Sequence, residues 1–198
     1  MIARRDASEQ GRQKHRVPLL GLIISGIFAI LVCDAVAIGA EESNAQRVDR
    51  LKAGYLLNFV RFVDWPASGS ANVLTVCFVG GQTVLDALAS GIENKTAGER
   101  HLAARMLSES EPPLGCNVLY LEASTMRDGA HALNLGDMPI LTVSDAKDFA
   151  RSGGMIELFT DANHIRFNIN VGSAQKAGLH ISSSLLQLAA TVEQATPK

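Results

Sequence analysis

Catalytic motifs are missing from this chain, and the gaps narrow what it can be. The histidines beyond residue 40 are His101, His131, His164 and His180, and none stands at a metal-ligand spacing such as H-E-x-x-H. No serine sits in G-x-S-x-G, and neither G-x-G-x-x-G nor a G-x-x-x-x-G-K-[ST] loop occurs. The carboxylates Asp86, Glu122, Asp137, Asp145, Asp148, Glu157 and Asp161 are scattered, with no pair set apart for acid–base work. These gaps argue against an enzyme: no catalytic residue, metal site or cofactor is expected. Charge of one sign is also scarce. A net charge of −2 leaves no basic patch for a phosphate backbone, so no nucleic-acid partner is expected. Aromatic residues make up 5%, and tryptophan occurs once, at Trp65. That residue is expected to cap the core, with stacking on a ligand as the alternative.

One long apolar run is present, near the start. Arg4, Arg5, Arg12, Lys14 and Arg16 form a basic opening, residues 17–33 are almost unbroken apolar sequence, and the small residues Ala35, Ala37 and Ala40 follow. Basic, then apolar, then small is the order of a cleavable export signal. Seventeen residues are short for a spanning helix, which needs about 20. Residues 1–40 are therefore read as a signal peptide, cut after Ala37 or Ala40, and residues 41–198 as one domain destined for the periplasm. The bulky Val32 before Cys33 does not suit lipoprotein processing. Five basic and three acidic residues leave with the signal, so the remaining 158 residues carry −4. That length is sufficient for a layered core.

Cysteine is nearly as rare. Cys77 and Cys116 survive processing, and an even count in an exported chain suggests one disulfide, with two buried thiols as the alternative. Without a C-x-x-C, thiol redox catalysis is unsupported.

The periodicities order the domain. Ser43-x-x-Gln46 has capping-box spacing, and Val48, Leu51, Tyr55, Phe59 and Phe62 predict a helix that Asp64-Trp65-Pro66 ends. Residues 73–79, 117–121 and 140–143 are continuous apolar runs, the habit of strands covered on both faces. Residues 102–107 predict a further strand. Gly80-Gly81 follow the first buried strand and precede a helix, a place where anions sit, though here without a phosphate motif. Helices are also expected from Ser124 or Thr125 to near Gly136, from Ser144 to Arg151, from Asn170 or Ser173 to Gly178, and over residues 182–192. The segment from Glu109 to Gly115 reads as a loop long enough to be mobile. Alternation of strand and helix implies parallel pairing. The expected fold is α/β: one Rossmann-like α/β/α sandwich of three layers, mostly parallel, with an antiparallel hairpin towards the C-terminus.

That hairpin runs through residues 155–170. Ile165, Phe167 and Ile169 alternate with His164, Arg166, Asn168 and Asn170, so one face is buried and the other is a row of hydrogen-bonding groups. Arg166, Asn168, Asn170 and the neighbouring Gly153-Gly154 turn are candidate binding residues, together with Trp65. A solvated sheet face is the plainer reading of the row.

Several segments then carry a resemblance in order along the chain. They are Lys52-Ala-Gly-Tyr-Leu-Leu-Asn-Phe-Val-Arg-Phe-Val-Asp-Trp-Pro66, Val76-Cys-Phe-Val-Gly80, Gly115-Cys-Asn-Val-Leu-Tyr-Leu121, Ile140-Leu-Thr-Val-Ser144, Gly153-Gly-Met-Ile156, Arg166-Phe-Asn-Ile-Asn170 and Ile181-Ser-Ser-Ser-Leu-Leu-Gln-Leu-Ala189. Phe149 and Ala177-Gly-Leu179 add to the set. In combination they resemble the YfiR-like family of exported proteins. The resemblance implies a periplasmic, non-catalytic α/β regulator that represses a membrane-bound diguanylate cyclase by binding its periplasmic sensor domain, and so keeps cyclic di-GMP low. It implies an outer-membrane lipoprotein as a sequestering partner, and a homodimer. The cysteine pair of the family matches Cys77 and Cys116. A second pair that some members carry nearer the C-terminus is absent, so redox control through it does not transfer. A small-ligand sensor for a nucleotide or aromatic compound, with Trp65 in the pocket and no cyclase partner, is the alternative function.

Overall fold

The computed structural model describes residues 43–66, 72–92, 96–97 (backbone only), 100–126, 135 and 138–194. The expected signal peptide and most of the helix expected over 124–136 lie outside the described residues; at the start of the latter, Ala123–Thr125 form a single 3₁₀ turn.

Helix α1 (Asn44–Phe62) begins at the expected capping box: the Ser43 hydroxyl accepts from the Gln46 N–H, and the Gln46 side chain accepts from the Ser43 N–H. Its buried stripe is Ala53, Leu56, Phe59 and Val60. The expected stripe ran through Leu51 and Phe62 as well, but these are 43% and 37% exposed. Two apolar stripes overlap on this helix, and the sheet takes the one that brings Phe59 against Phe167, ring centroids 5.2 Å apart.

Among the described residues the strands are, in chain order, β1 (Val63–Asp64), β2 (Val73–Val79), β3 (Thr96–Ala97), β4 (Arg100–Met106), β5 (Val118–Leu121), β6 (Leu141–Ser144), β7 (Ile156–Asp161), β8 (His164–Asn170), β9 (His180–Ile181) and β10 (Thr191–Glu193). Between them stand α2 (Gln82–Ile92), α3 (Val171–Lys176) and α4 (Ser183–Leu188). The main sheet has the order β3-β4-β2-β5-β6-β7-β8-β10, and β1 and β9 form a small separate pair. From β4 to β7 every pairing is parallel, and β7 and β8 form the antiparallel hairpin. The fold is α/β, with a mostly parallel sheet flanked by helices.

Alternation sorts the core onto two faces. Leu74, Val76 and Phe78 of β2, with Val118 and Tyr120 of β5, join the buried residues of all four helices in one large cluster. Cys77, Leu119 and Leu121 point the other way, into a smaller cluster with Leu107, Cys116, Ile140 and Phe149.

One expected helix is replaced and another is cut short. Residues 147–153 form successive turns, with Asp148 at φ +60°. The cause is Glu157, a buried carboxylate on β7 that accepts the N–H groups of Asp148 and Ala150, while the Asn170 side chain donates to the Ala150 carbonyl. A helix would turn those groups along its own axis. At the C-terminus the helix stops at Leu188, and residues 191–193 become β10, parallel to β8. Leu188, at the end of this helix, is 69% exposed. The outer edge of β8 offers backbone bonds that a continued helix would forgo: the Ala190 N–H reaches the Phe167 carbonyl, and the Tyr55 hydroxyl donates to the Ile165 carbonyl. Between them they blunt an edge otherwise open to strand addition.

Candidate functional site

In open, mostly parallel sheets ligands bind beyond the carboxyl ends of the strands, where the strand order reverses. Here the reversal lies between β2 and β5, beside Gly80 and Gly81. Both glycines have positive φ, +72° and +67°. A Cβ on Gly81 would press on the Tyr120 ring, so glycine is required there for approach as well as for conformation.

The space an anion would take is already filled. Glu122, one residue past β5, accepts the Gly81 N–H at 3.0 Å and the Ser124 hydroxyl at 2.7 Å. Asp145, one residue past β6, accepts from Lys52 Nζ at 2.6 Å and from the Ala123 N–H at 2.8 Å. Asp49 accepts from the Thr83 hydroxyl at 2.6 Å and lies 3.7 Å from Lys52. The chain's own carboxylates thus take the role of a bound anion at the start of α2. A pocket of about 160 Å³ is left beside Lys52 and Asp145. Beneath the glycines the Tyr120 hydroxyl is fully buried and has no hydrogen-bond partner among the described residues. Burial first, and the nearby Asp145 carboxylate second, hold its ionisation far above the usual tyrosine range. Among the described residues no group of three His, Cys, Asp or Glu is placed to hold a metal ion.

The opposite end of the sheet is open. A cleft of about 360 Å³ lies across the amino ends of β4, β2, β5 and β6, bordered by Trp65, Pro66, Arg100, Pro113, Leu114 and Pro139 among others. A second cleft of about 260 Å³ adjoins it, bordered by Arg61 and Asp64 and sharing Trp65 and Arg100 with the first. Asn117 organises this end. Its carbonyl accepts the Trp65 indole N–H at 3.3 Å and the Leu141 N–H at 2.8 Å, and its side chain accepts the Thr75 N–H at 2.9 Å. The loop from Glu109 to Gly115, expected to be mobile, is tied down along its length and just beyond its end. Cys116 is disulfide-bonded to Cys77, with Cα atoms 5.8 Å apart. Arg105 donates to the Glu111 carboxylate at 3.0 Å and to the Leu114 carbonyl at 2.7 Å.

The expected site residues do not come together. Trp65 lies at the amino-end cleft. Arg166 is exposed on the hairpin, 3.3 Å from Asp161. Asn168 stands opposite Thr191 of β10. Asn170 is spent on structure: it caps α3 by accepting the Ser173 N–H, and it holds Ala150. Gly153, at φ +102°, is exposed in the turn after residue 152, and a Cβ on Gly154 would overlap the Phe149 ring. Arg61, Arg100, Pro113 and Pro139 were not anticipated. They stand far apart in sequence, Arg61 in the last turn of α1, Arg100 at the start of β4, Pro113 in a loop and Pro139 just before β6, and only the prolines carried a local signal.

A solved structure of a conserved domain protein from Vibrio cholerae O1 biovar El Tor str. N16961 is similar at 13% identity and a TM-score of 0.45, over 73% of this chain. This chain spans 60% of that protein's length. Residues 49–190 match the family described as YfiR/HmsC-like. By that match, which takes in every strand of the main sheet except the last, the chain belongs to the YfiR/HmsC-like family.

Proposed function

We propose that this chain is a periplasmic, non-catalytic regulator that binds the sensor domain of a membrane-bound diguanylate cyclase and holds the enzyme inactive. Family membership carries the reading. The Cys77–Cys116 bond suits an oxidising compartment and supports it. The chain would act through differential affinity, since a partner shifts an equilibrium only by binding one state better than the other. About 100-fold tighter binding to the inactive cyclase corresponds to roughly 2.7 kcal/mol of coupling. An outer-membrane lipoprotein that takes up the free regulator would relieve the inhibition. No cofactor enters the scheme.

The test is genetic and biochemical. Deleting the gene in its own bacterium is expected to raise cyclic di-GMP, and restoring the chain with its first 40 residues is expected to lower it again. Tagged protein recovered from the envelope is expected to bring down a protein with a diguanylate cyclase domain. Unchanged cyclic di-GMP together with an empty pull-down would remove the regulator reading. Arg166→Ala in the same pull-down asks whether the hairpin face takes part; equal recovery would exclude it.

The cleft beside Trp65 favours a second reading, a small-ligand sensor for a nucleotide or aromatic compound. Titration of Trp65 fluorescence across a metabolite panel decides it, and a flat response would end it.

A further inference from the structure

We propose that the groove across the amino ends of the central strands docks an extended segment of the partner protein, one in which an apolar side chain is closely followed by a carboxylate. The inference rests on the regulator reading and names the surface that reading would use. The groove has two compartments that share Trp65 and Arg100. The first is walled by Pro113, Pro139 and Leu114. Leu114 is 66% exposed, yet its loop is held by the disulfide and by Arg105, so an apolar side chain is presented on a rigid support. The Trp65 indole N–H is already bonded, so what Trp65 offers the groove is apolar surface. Prolines, a tethered loop and a fixed indole lose little freedom when covered, which lowers the cost of binding.

The second compartment sets the charge. Lys52, Arg105, Arg151 and Arg166 each have a carboxylate within 4 Å. Arg61 and Arg100 have no such partner among the described residues, although the chain as a whole is acidic. Two arginines line that compartment against a single acidic residue, Asp64, so its balance of charge favours an incoming acid over an incoming amine. An apolar compartment beside a cationic one fits side chains two apart on one extended strand, about 7 Å from each other. Charge complementarity of this kind selects the partner and speeds its approach.

Photo-crosslinking in the producing bacterium tests the proposal. The full chain carries p-benzoylphenylalanine in place of Leu114 or, separately, of Arg166. The expected result is an adduct from position 114 and none from 166. Mass spectrometry should map it to a periplasmic segment of a cyclase with Asp or Glu within about three residues of an apolar side chain. Arg61→Glu with Arg100→Glu should cut the yield at least tenfold at unchanged thermal unfolding, and Lys in place of the partner's acid should restore it. Where the double variant unfolds, Arg100→Gln serves, with a loss of about threefold. Adducts from 166 alone, adducts that map to a second copy of this chain, or a yield indifferent to charge reversal would each overturn the proposal. So would saturable quenching of Trp65 by benzoate with no protein adduct, which would give the groove to a small aromatic anion. A cyclase recovered by pull-down without any adduct at 114 would sink the groove and spare the regulator; recovery of neither would sink both.

Discussion

At the carboxyl ends of its strands this sheet is closed by charge, while at the amino ends a groove is left, apolar in one part and cationic in the other. The closed end has the layout of a ligand crevice: two glycines of positive φ, a helix start and a reversal of strand order. Glu122, Asp145 and Asp49 fill it from within, tied by Lys52, Thr83 and Ser124. At the open end the strand starts are bordered by Trp65, by prolines and by two arginines without carboxylate partners among the described residues. The difference teaches that a fold's habitual ligand position can be used up as structure while a groove is left at the other end.

The largest expected effect lies at the open end. Replacing Cys77 and Cys116 together by Ala releases a constraint spanning 39 residues and should cost about 4 kcal/mol by loop closure. Urea unfolding measures this, and a loss below about 1 kcal/mol would mean that Arg105 alone holds the loop. At the closed end, Lys52→Met leaves Asp145 without its cation at a site where both side chains are under one-fifth exposed. The expected loss is about 2–3 kcal/mol, somewhat below that for a fully buried pair. Lys52→Met with Asp145→Leu should recover part of it; no recovery would deny that the two charges close this end jointly.

Gly81→Ala forces a side chain into a left-handed backbone and against the Tyr120 ring, with an expected loss of about 2 kcal/mol. A neutral result would show that the glycine turn has room to spare and that the closed end is less tightly filled than its contacts imply. Smallest is Tyr120→Phe. The buried hydroxyl meets no partner in good hydrogen-bond geometry among the described residues, with only the Asp145 carboxylate near it, so its removal should change stability by under about 1 kcal/mol. A clear loss would reveal a bound water in the network. The same variant has a signature in alkali. The folded state keeps Tyr120 protonated where the unfolded chain ionises, so its contribution is intact below pH 10.0 and declines above it, by about 1.4 kcal/mol per pH unit. Stability above that pH should fall less steeply in Tyr120→Phe than in the parent, and equal slopes would show that the hydroxyl titrates normally.

Most of the architecture was legible along the chain. The runs at β2, β5 and β6 are mostly apolar, without alternation, because both faces are covered, and the alternation in β8 follows from one buried face. The Ser43 capping box and the Cys77–Cys116 pair likewise show in residue type and count. The candidate site was much less legible. Trp65 was marked by rarity, but Arg61 and Arg100 look in sequence like any surface arginine, and Asn170 looked like a binding group until its partners, Ser173 and Ala150, were seen.

By itself, then, the sequence determined the elements whose stability is local or periodic: strands with their buried faces, the first helix and its cap, the chain direction that parallel pairing demands. Only the tertiary structure decided which apolar stripe of α1 turns inward, and that residues 191–193 pair with β8 in place of lengthening a helix. It also decided that Glu122 would stop the anion site 41 positions away, and that the groove would open at the amino ends. The reason is physical. Each of those outcomes depends on a polar or apolar group meeting its complement far along the chain, and residue type fixes what a group needs without fixing which neighbour supplies it.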